Sequence, residues 1–317
     1  MMTFVITDEL EKLQDRLEDP DAQVRRIAVM ELVDTGNEAA VPMLIEALHD
    51  VEAGVRTEAA RGLEEFQNNA ILMPLLDALE DCDAGVREAA AHTLEELKHP
   101  GLADLFLERL QRPDPFVRAS VLRAIRSLRL PDSLAPSLAA LSDMNADVRR
   151  EAAGVLGYLK DPEALPAIAQ VARNDLDPEV RRMAVGALGF SDSGLTMQAL
   201  VAAISDSHWQ VREEAAAMIG KLALAETDDA LISVMLDDFW QVRAKAAISL
   251  GKIKSRRAVP VLSEALFHDV SNLRKEAALA LGEIGDLRAV PFLRKAQLDP
   301  DPDVRKLADW ALAKMPA

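Results

Sequence analysis

The chain has 317 residues, half of them hydrophobic but only 4% aromatic, and carries a net charge of −17. Alanine and leucine dominate, a composition suited to closely packed helices rather than to a β-rich core. No apolar run is long enough to cross a bilayer, and the lone Cys82 excludes an internal disulfide and a paired-cysteine metal knuckle.

The N-terminal stretch MMTFVITDELEKL has too short an apolar run for a signal peptide and turns acidic at once, so a soluble cytoplasmic protein is expected. Residues 1–100 hold 23 acidic and 8 basic side chains, residues 101–317 hold 30 and 28, and residues 243–317 hold 9 and 14. The acidic third either keeps the chain in solution or faces a basic partner. Binding of nucleic acid by phosphate neutralisation is not expected of this charge distribution, although the KIKSRR patch at 252–257 offers a local site for it.

A Val-Arg pair then recurs down the chain, at 24–25, 55–56, 86–87, 117–118, 148–149, 180–181, 211–212, 242–243 and 304–305, with Leu273-Arg274 filling the gap. Every interval is 31 residues except the 32 between Val148 and Val180. Ten copies account for nearly the whole chain, so residues 1–317 read as one domain, acidic over 1–100 and most regular over 143–317.

Counting the valine as position zero, +4 is alanine in nine copies and +8 is Leu or Ile throughout. Apolar residues at 0, +4 and +8 share one helical face, and a small +4 residue admits a close neighbour. From Gly157 to Gly282 a glycine follows at +9 and predicts a helix stop. A second apolar helix follows, often with proline in its first turn, as at Pro42, Pro166 and Pro260. Aspartate at −5 and −3 precedes the Val-Arg helix, which predicts capping. The +1 arginine is expected to pair with a −5 aspartate of its own or a neighbouring copy and so to fix the stacking register. Each copy is therefore a helical hairpin, and the fold is all-α.

The stretches GEIGDLRAVPFLRKAQLDPDPDVRKLA (282–308) and GKIKSRRAVPVLSEAL resemble the short HEAT-type repeat of the phycobilin-lyase class. The resemblance implies a right-handed α-solenoid with the Val-Arg helices lining its concave side. It implies no single activity, because the class includes chromophore lyases, hydroxylases, scaffolds and designed binders. Deoxyhypusine hydroxylases of similar build hold iron through His-Glu dipeptides, and no histidine here precedes a glutamate. His92 and His99 lack a third ligand, and His208 and His268 stand two repeats apart, so no metal site is expected. The isolated glycines form no phosphate loop, and no nucleophile motif is present. No cofactor is assigned. The functional reading is a non-enzymatic scaffold for a protein or peptide partner, with bilin-lyase-like cofactor attachment or enzyme maturation as the alternative.

Departures from the repeat locate the candidate surface. At −3 the capping series runs from Asp21 to Asp177, then gives way to His208, Phe239 and Val270 before Asp301 restores it. At −2 stand Trp209 and Trp240, and at −1 Gln210 and Gln241, in the repeated tetrapeptide WQVR. Equivalent residues of adjacent copies lie about 10 Å apart, so these side chains are expected to form one aromatic ridge beside the groove. The alternatives are that the indoles plug gaps between copies, or that WQVR records a duplication. Tyr158 and Phe190 at +10, with Arg182 among the cations at +2 and +6, predict a groove able to hold an acidic or amphipathic segment. Trp310 is assigned to the C-terminal cap.

Overall fold

A computed structural model describes residues 8–66, 68–97 and 103–316, so the start of the N-terminal stretch and His99 lie outside the described residues. These residues form twenty α-helices in two compact units, Met1–Leu159 and Lys160–Ala317, and no strand. The first unit contains α1 (Asp8–Leu17), α2 (Ala22–Asp34), α3 (Val41–Ala47), α4 (Ala53–Gly62), α5 (Leu72–Ala78), α6 (Ala84–Glu96), α7 (Ala103–Arg109), α8 (Pro115–Ile125), α9 (Leu134–Ala140) and α10 (Ala146–Leu159). The second contains α11 (Leu165–Asn174), α12 (Pro178–Ala187), α13 (Gly194–Ala203), α14 (Trp209–Lys221), α15 (Asp228–Val234), α16 (Trp240–Lys252), α17 (Val259–Ala265), α18 (Ser271–Ile284), α19 (Val290–Ala296) and α20 (Pro302–Ala313). The boundary falls inside the single 32-residue interval.

Even-numbered helices carry the Val-Arg motif and pack on one another in sequence, α2 to α10 in the first unit and α12 to α20 in the second. The 0, +4 and +8 residues are buried from Val55 through Leu281, while Val24 and Leu312 in the end copies are half-buried. Each fully buried leucine or valine contributes about 1.5–3 kcal/mol, available only when a neighbouring hairpin covers it. Two buried hydroxyls add hydrogen bonds between copies: Thr93 Oγ1 donates to Ala60 O (2.8 Å) and Ser249 Oγ to Ala216 O (2.7 Å).

The arginine ladder takes one consistent form. In six copies the +1 guanidinium grips the −5 carboxylate of the following copy, 25 residues on, through Nε and Nη2 together. Arg25–Asp50, Arg56–Asp81, Arg118–Asp143, Arg181–Asp206, Arg212–Asp237 and Arg274–Asp299 share this geometry, with Nε–O distances of 2.6–2.8 Å. The same carboxylate accepts a backbone N–H two residues on, as Asp50 does from Glu52 (2.8 Å). Nη1 meanwhile donates to carbonyls of the arginine's own turn, as Arg181 does to Asp175 O (2.8 Å). One side chain thus ties two turns together, and fork-to-fork geometry makes the bond directional.

Two rungs are altered. Arg87 faces a copy whose −5 residue is Arg112, and its guanidinium lies 5.3 Å from the centre of the Phe116 ring instead. Arg243 meets His268, with Nη2 3.0 Å from Nε2, while the Val270 N–H donates to Nδ1 (3.0 Å). A guanidinium and an amide only donate, and a neutral imidazole has one acceptor nitrogen, so one contact is unfavourable in either tautomer. Burial, then Arg243, pushes the His268 pKa down, with Arg274 acting the same way and Asp269 opposing. The unfolded chain therefore takes the proton first, and stability is lost as pH falls from about 6.5 through the lower folded value. Replacing His268→Asp supplies the missing carboxylate. The variant is expected to gain about 1 kcal/mol at pH 7 and to lose less of its melting temperature than wild type between pH 8 and pH 5, measured by thermal denaturation.

Three of the +9 glycines have a different role from the predicted stop, while Gly189 stands just past the end of α12. Gly220, Gly251 and Gly282 lie inside α14, α16 and α18, where the next copy's helix crosses at backbone range. A Cβ on Gly282 would sit 2.9 Å from Ala311 Cα. The chain turns left-handed three residues later, at +12: Gly36, Arg129, Lys160, Ala223, Lys254 and Gly285 all have positive φ. The prolines do stand where predicted, at the first turns of α3, α11, α17 and α19.

Candidate functional site

Side-chain capping at −3 is present at Asp21, Asp83, Asp114, Asp177 and Asp301. At His208, Phe239 and Val270 the backbone keeps the same extended cap conformation, and no side chain accepts a helix N–H. The bond from −5 that the turns with aspartate there share is kept: Asp206 accepts from His208 N (2.8 Å) and Asp237 from Phe239 N (2.9 Å). For both aspartates burial raises the pKa, but the paired arginine and the amide prevail and hold it below the usual carboxylate range.

Trp209, the first residue of α14, stacks on Phe239 from the next copy with ring centres 5.3 Å apart and planes inclined by 13°. The Arg212 guanidinium, fixed on Asp237, lies 5.9 Å from the Phe239 centre. Phe239 thus packs against both an indole and a cation, yet remains 41% exposed. His208 is exposed, and Trp209, Gln210, Trp240 and Gln241 are half-buried. The equivalent partner of Trp240 is Val270, and no ring stacks on Trp240 among the described residues. Adjacency between copies therefore joins Trp209 to Phe239 and does not extend the ring stack to Trp240.

Tyr158 stands at the end of α10 in the first unit, 47% exposed, with the Arg126 guanidinium 5.9 Å from its ring centre. Beside it Glu151, only 4% exposed, receives Arg150 (3.1 Å), Arg126 (3.3 Å) and Arg123 (3.4 Å). Arg182, in the second unit, is turned onto Glu179 (2.7 Å), and Phe190 is half-buried. Other expected groove cations are also paired, Arg26 with Glu58 (3.1 Å) and Lys275 with Asp301 (3.1 Å), and the His92 ring lies 3.2 Å from Glu64. The groove cations named here are thus met by carboxylates of the chain itself, which sequence alone did not show. In the KIKSRR patch Arg257 pairs with Asp228 and Asp229, and Arg288 Nη2 donates to Arg256 O (2.8 Å). Trp310 packs over Gly282.

Among the described residues no three His, Cys, Asp or Glu side chains are grouped so as to hold a metal ion, and no helix is long and apolar enough to cross a membrane. The sequence pattern described as HEAT repeats matches residues 10–81, 72–136, 134–220 and 229–313. No curated protein matches the sequence. Among solved structures, an engineered protein is 21% identical with a TM-score of 0.52, over 97% of this chain and 99% of its own. YibA of E. coli is also 21% identical, TM-score 0.55, over 90% and 96%. The structure of Kap95p binding RanGDP gives a TM-score of 0.67 at 14% identity, over 98% of this chain and 50% of the other. These likenesses carry the fold.

Proposed function

The chain belongs to the HEAT-repeat family, and from that premise we propose that it is a non-enzymatic scaffold whose ridge at 208–241 binds a protein partner. The observation that carries this reading is the Trp209–Phe239 stack, held partly exposed at two successive turns that have given up a capping side chain. Each lost cap costs about 0.5–2 kcal/mol where nothing compensates. A rigid aromatic pair with an arginine behind it is the chemistry of an interface anchor. The 31-residue period runs through both compact units, which supports treating residues 1–317 as one scaffold. One exposed free thiol, Cys82, fits a reducing, cytoplasmic setting.

The test is capture from the native cell with wild type and with a Trp209→Ala/Trp240→Ala variant, alongside thermal melts of both. The variant is expected to keep its cooperative melt and to bind its partner about 30-fold more weakly, the loss of one hot spot of roughly 2 kcal/mol. A folded variant that retains every partner overturns the reading.

A further inference from the structure

Position −6, the residue that follows helices α15, α17 and α19 closely, departs from the repeat in a second way. It is polar in the seven earlier copies, from Glu18 to Ser205, and then becomes Leu236, Phe267 and Leu298. These three side chains are 77%, 54% and 86% exposed. Position −4 changes in the same neighbourhood: it is uncharged in every copy except two, where it is Asp238 and Asp269, both exposed. Asp237, beside Asp238, is already neutralised by Arg212, and beside Asp269 the ladder position holds His268 in place of an aspartate, so Asp238 and Asp269 supply the outward negative charge of these two turns.

We infer that Leu236, Phe267 and Leu298, rimmed by Asp238 and Asp269, form a docking surface for a basic amphipathic helix of a partner protein. Equivalent positions in stacked copies repeat at about 10 Å. A helix rises about 10.5 Å in seven residues, so one apolar residue per heptad meets each anchor in turn. Lysines or arginines flanking that stripe face the two aspartates. An anionic lipid surface is disfavoured by the same acids. A second copy meeting this surface through a two-fold contact would set acid against acid. The inference takes from the scaffold reading only that the partner is a protein, and its anchors are different residues from Trp209 and Trp240.

The probe is a synthetic 21-residue helical peptide with leucine at every seventh position and lysines beside each, titrated into the full chain by fluorescence anisotropy. Binding is expected, weakened at least tenfold by Leu236→Ser/Phe267→Ser/Leu298→Ser and severalfold by Asp238→Asn/Asp269→Asn, with the salt dependence reduced in the latter. Peptides with glutamate for lysine, or serine for leucine, are expected not to bind. No binding of the lysine peptide, equal binding of the glutamate peptide, or binding unchanged in the triple-serine variant overturns the inference. So does sedimentation of the wild type with anionic vesicles, or its self-association, if the triple-serine variant abolishes it. The Trp209→Ala/Trp240→Ala variant is expected to bind the peptide normally. Loss of native partners in that variant, with no peptide binding by wild type, would remove this inference and leave the scaffold reading standing.

Discussion

Asp206→Ala is expected to destabilise the second unit by about 2–3 kcal/mol and to loosen the ridge it underlies. Alanine removes the acceptor for Arg181 Nε (2.7 Å) and Nη2 (2.8 Å) and for the His208 amide (2.8 Å). Arg181 is only 8% exposed, so its guanidinium is left partly desolvated without a counter-charge. Losing one hydrogen-bonded partner of a charged group costs about 1.5–3 kcal/mol, and contact of the turn with solvent keeps the sum below that of a deeply buried pair. Asp299→Ala is expected to cost about 1 kcal/mol less. There the −3 residue Asp301 still caps α20, whereas His208 offers α14 nothing.

The pH dependence follows with a definite sign. Asp206 has a folded pKa below its unfolded one, so its contribution is present above about pH 4 and is lost as pH falls through the folded value. Between pH 4 and pH 2 wild type should therefore lose more stability than Asp206→Ala. Because each copy contacts only its neighbours, hydrogen exchange should rise chiefly in α12, α14 and the turn between α13 and α14. Uniform exchange throughout the second unit would contradict a local rung.

What the sequence made legible was whatever depends on period. The 0, +4 and +8 core, the −3 caps and the proline-led helices follow from spacing and local chemistry alone. Arginine–aspartate pairing was foreseen, but two partners were equally consistent with the pattern. Only the stacked turns show that Arg25 reaches Asp50 rather than Asp19. Stacking of equivalent positions led to the expectation of one aromatic ridge of His208, Trp209, Phe239 and Trp240, whereas the stacked pair joins Trp209 to Phe239, one register position apart, and the substitution that isolates Trp240, Val270, was visible without its consequence. Pairing of Arg26, Lys275 and Arg182 with carboxylates was hidden because a cation's partner depends on side-chain direction.

The stripe at Leu236, Phe267 and Leu298 was hidden for a subtler reason. Leu236 and Phe267 each follow an apolar helix closely, and their neighbours at −7, Met235 and Leu266, are buried. One residue's rotation separates core from surface there, and a run such as VML or EALF does not say which side of that line its last residue takes. The signal that could have found it is comparative: seven polar residues at one register position, then three apolar ones.

Glycine gives the sharpest contrast between local preference and packing, because the same substitution is expected to have opposite signs at two helical sites. Glycine to alanine in a helix ordinarily gains up to about 1 kcal/mol. At Gly251, inside α16, the added Cβ would lie 2.9 Å from Ala280 Cα and 3.1 Å from Ala280 Cβ. The obstacle is the backbone of α18, which cannot swing aside as a side-chain tip can. Relief requires the two helices to separate, opening the contact that buries Ala247, Leu250, Ala277 and Leu281. Overpacking of this kind costs about 1–3 kcal/mol, which outweighs the propensity gain. Gly251→Ala is therefore expected to destabilise by about 1–2 kcal/mol. Gly54→Ala, in the first turn of α4 with nothing within 4 Å of the new methyl, is expected to be neutral or stabilising by a few tenths. Urea denaturation of the two variants decides it. If Gly251→Ala proves as stable as wild type, close helix approach is not what holds glycine at +9.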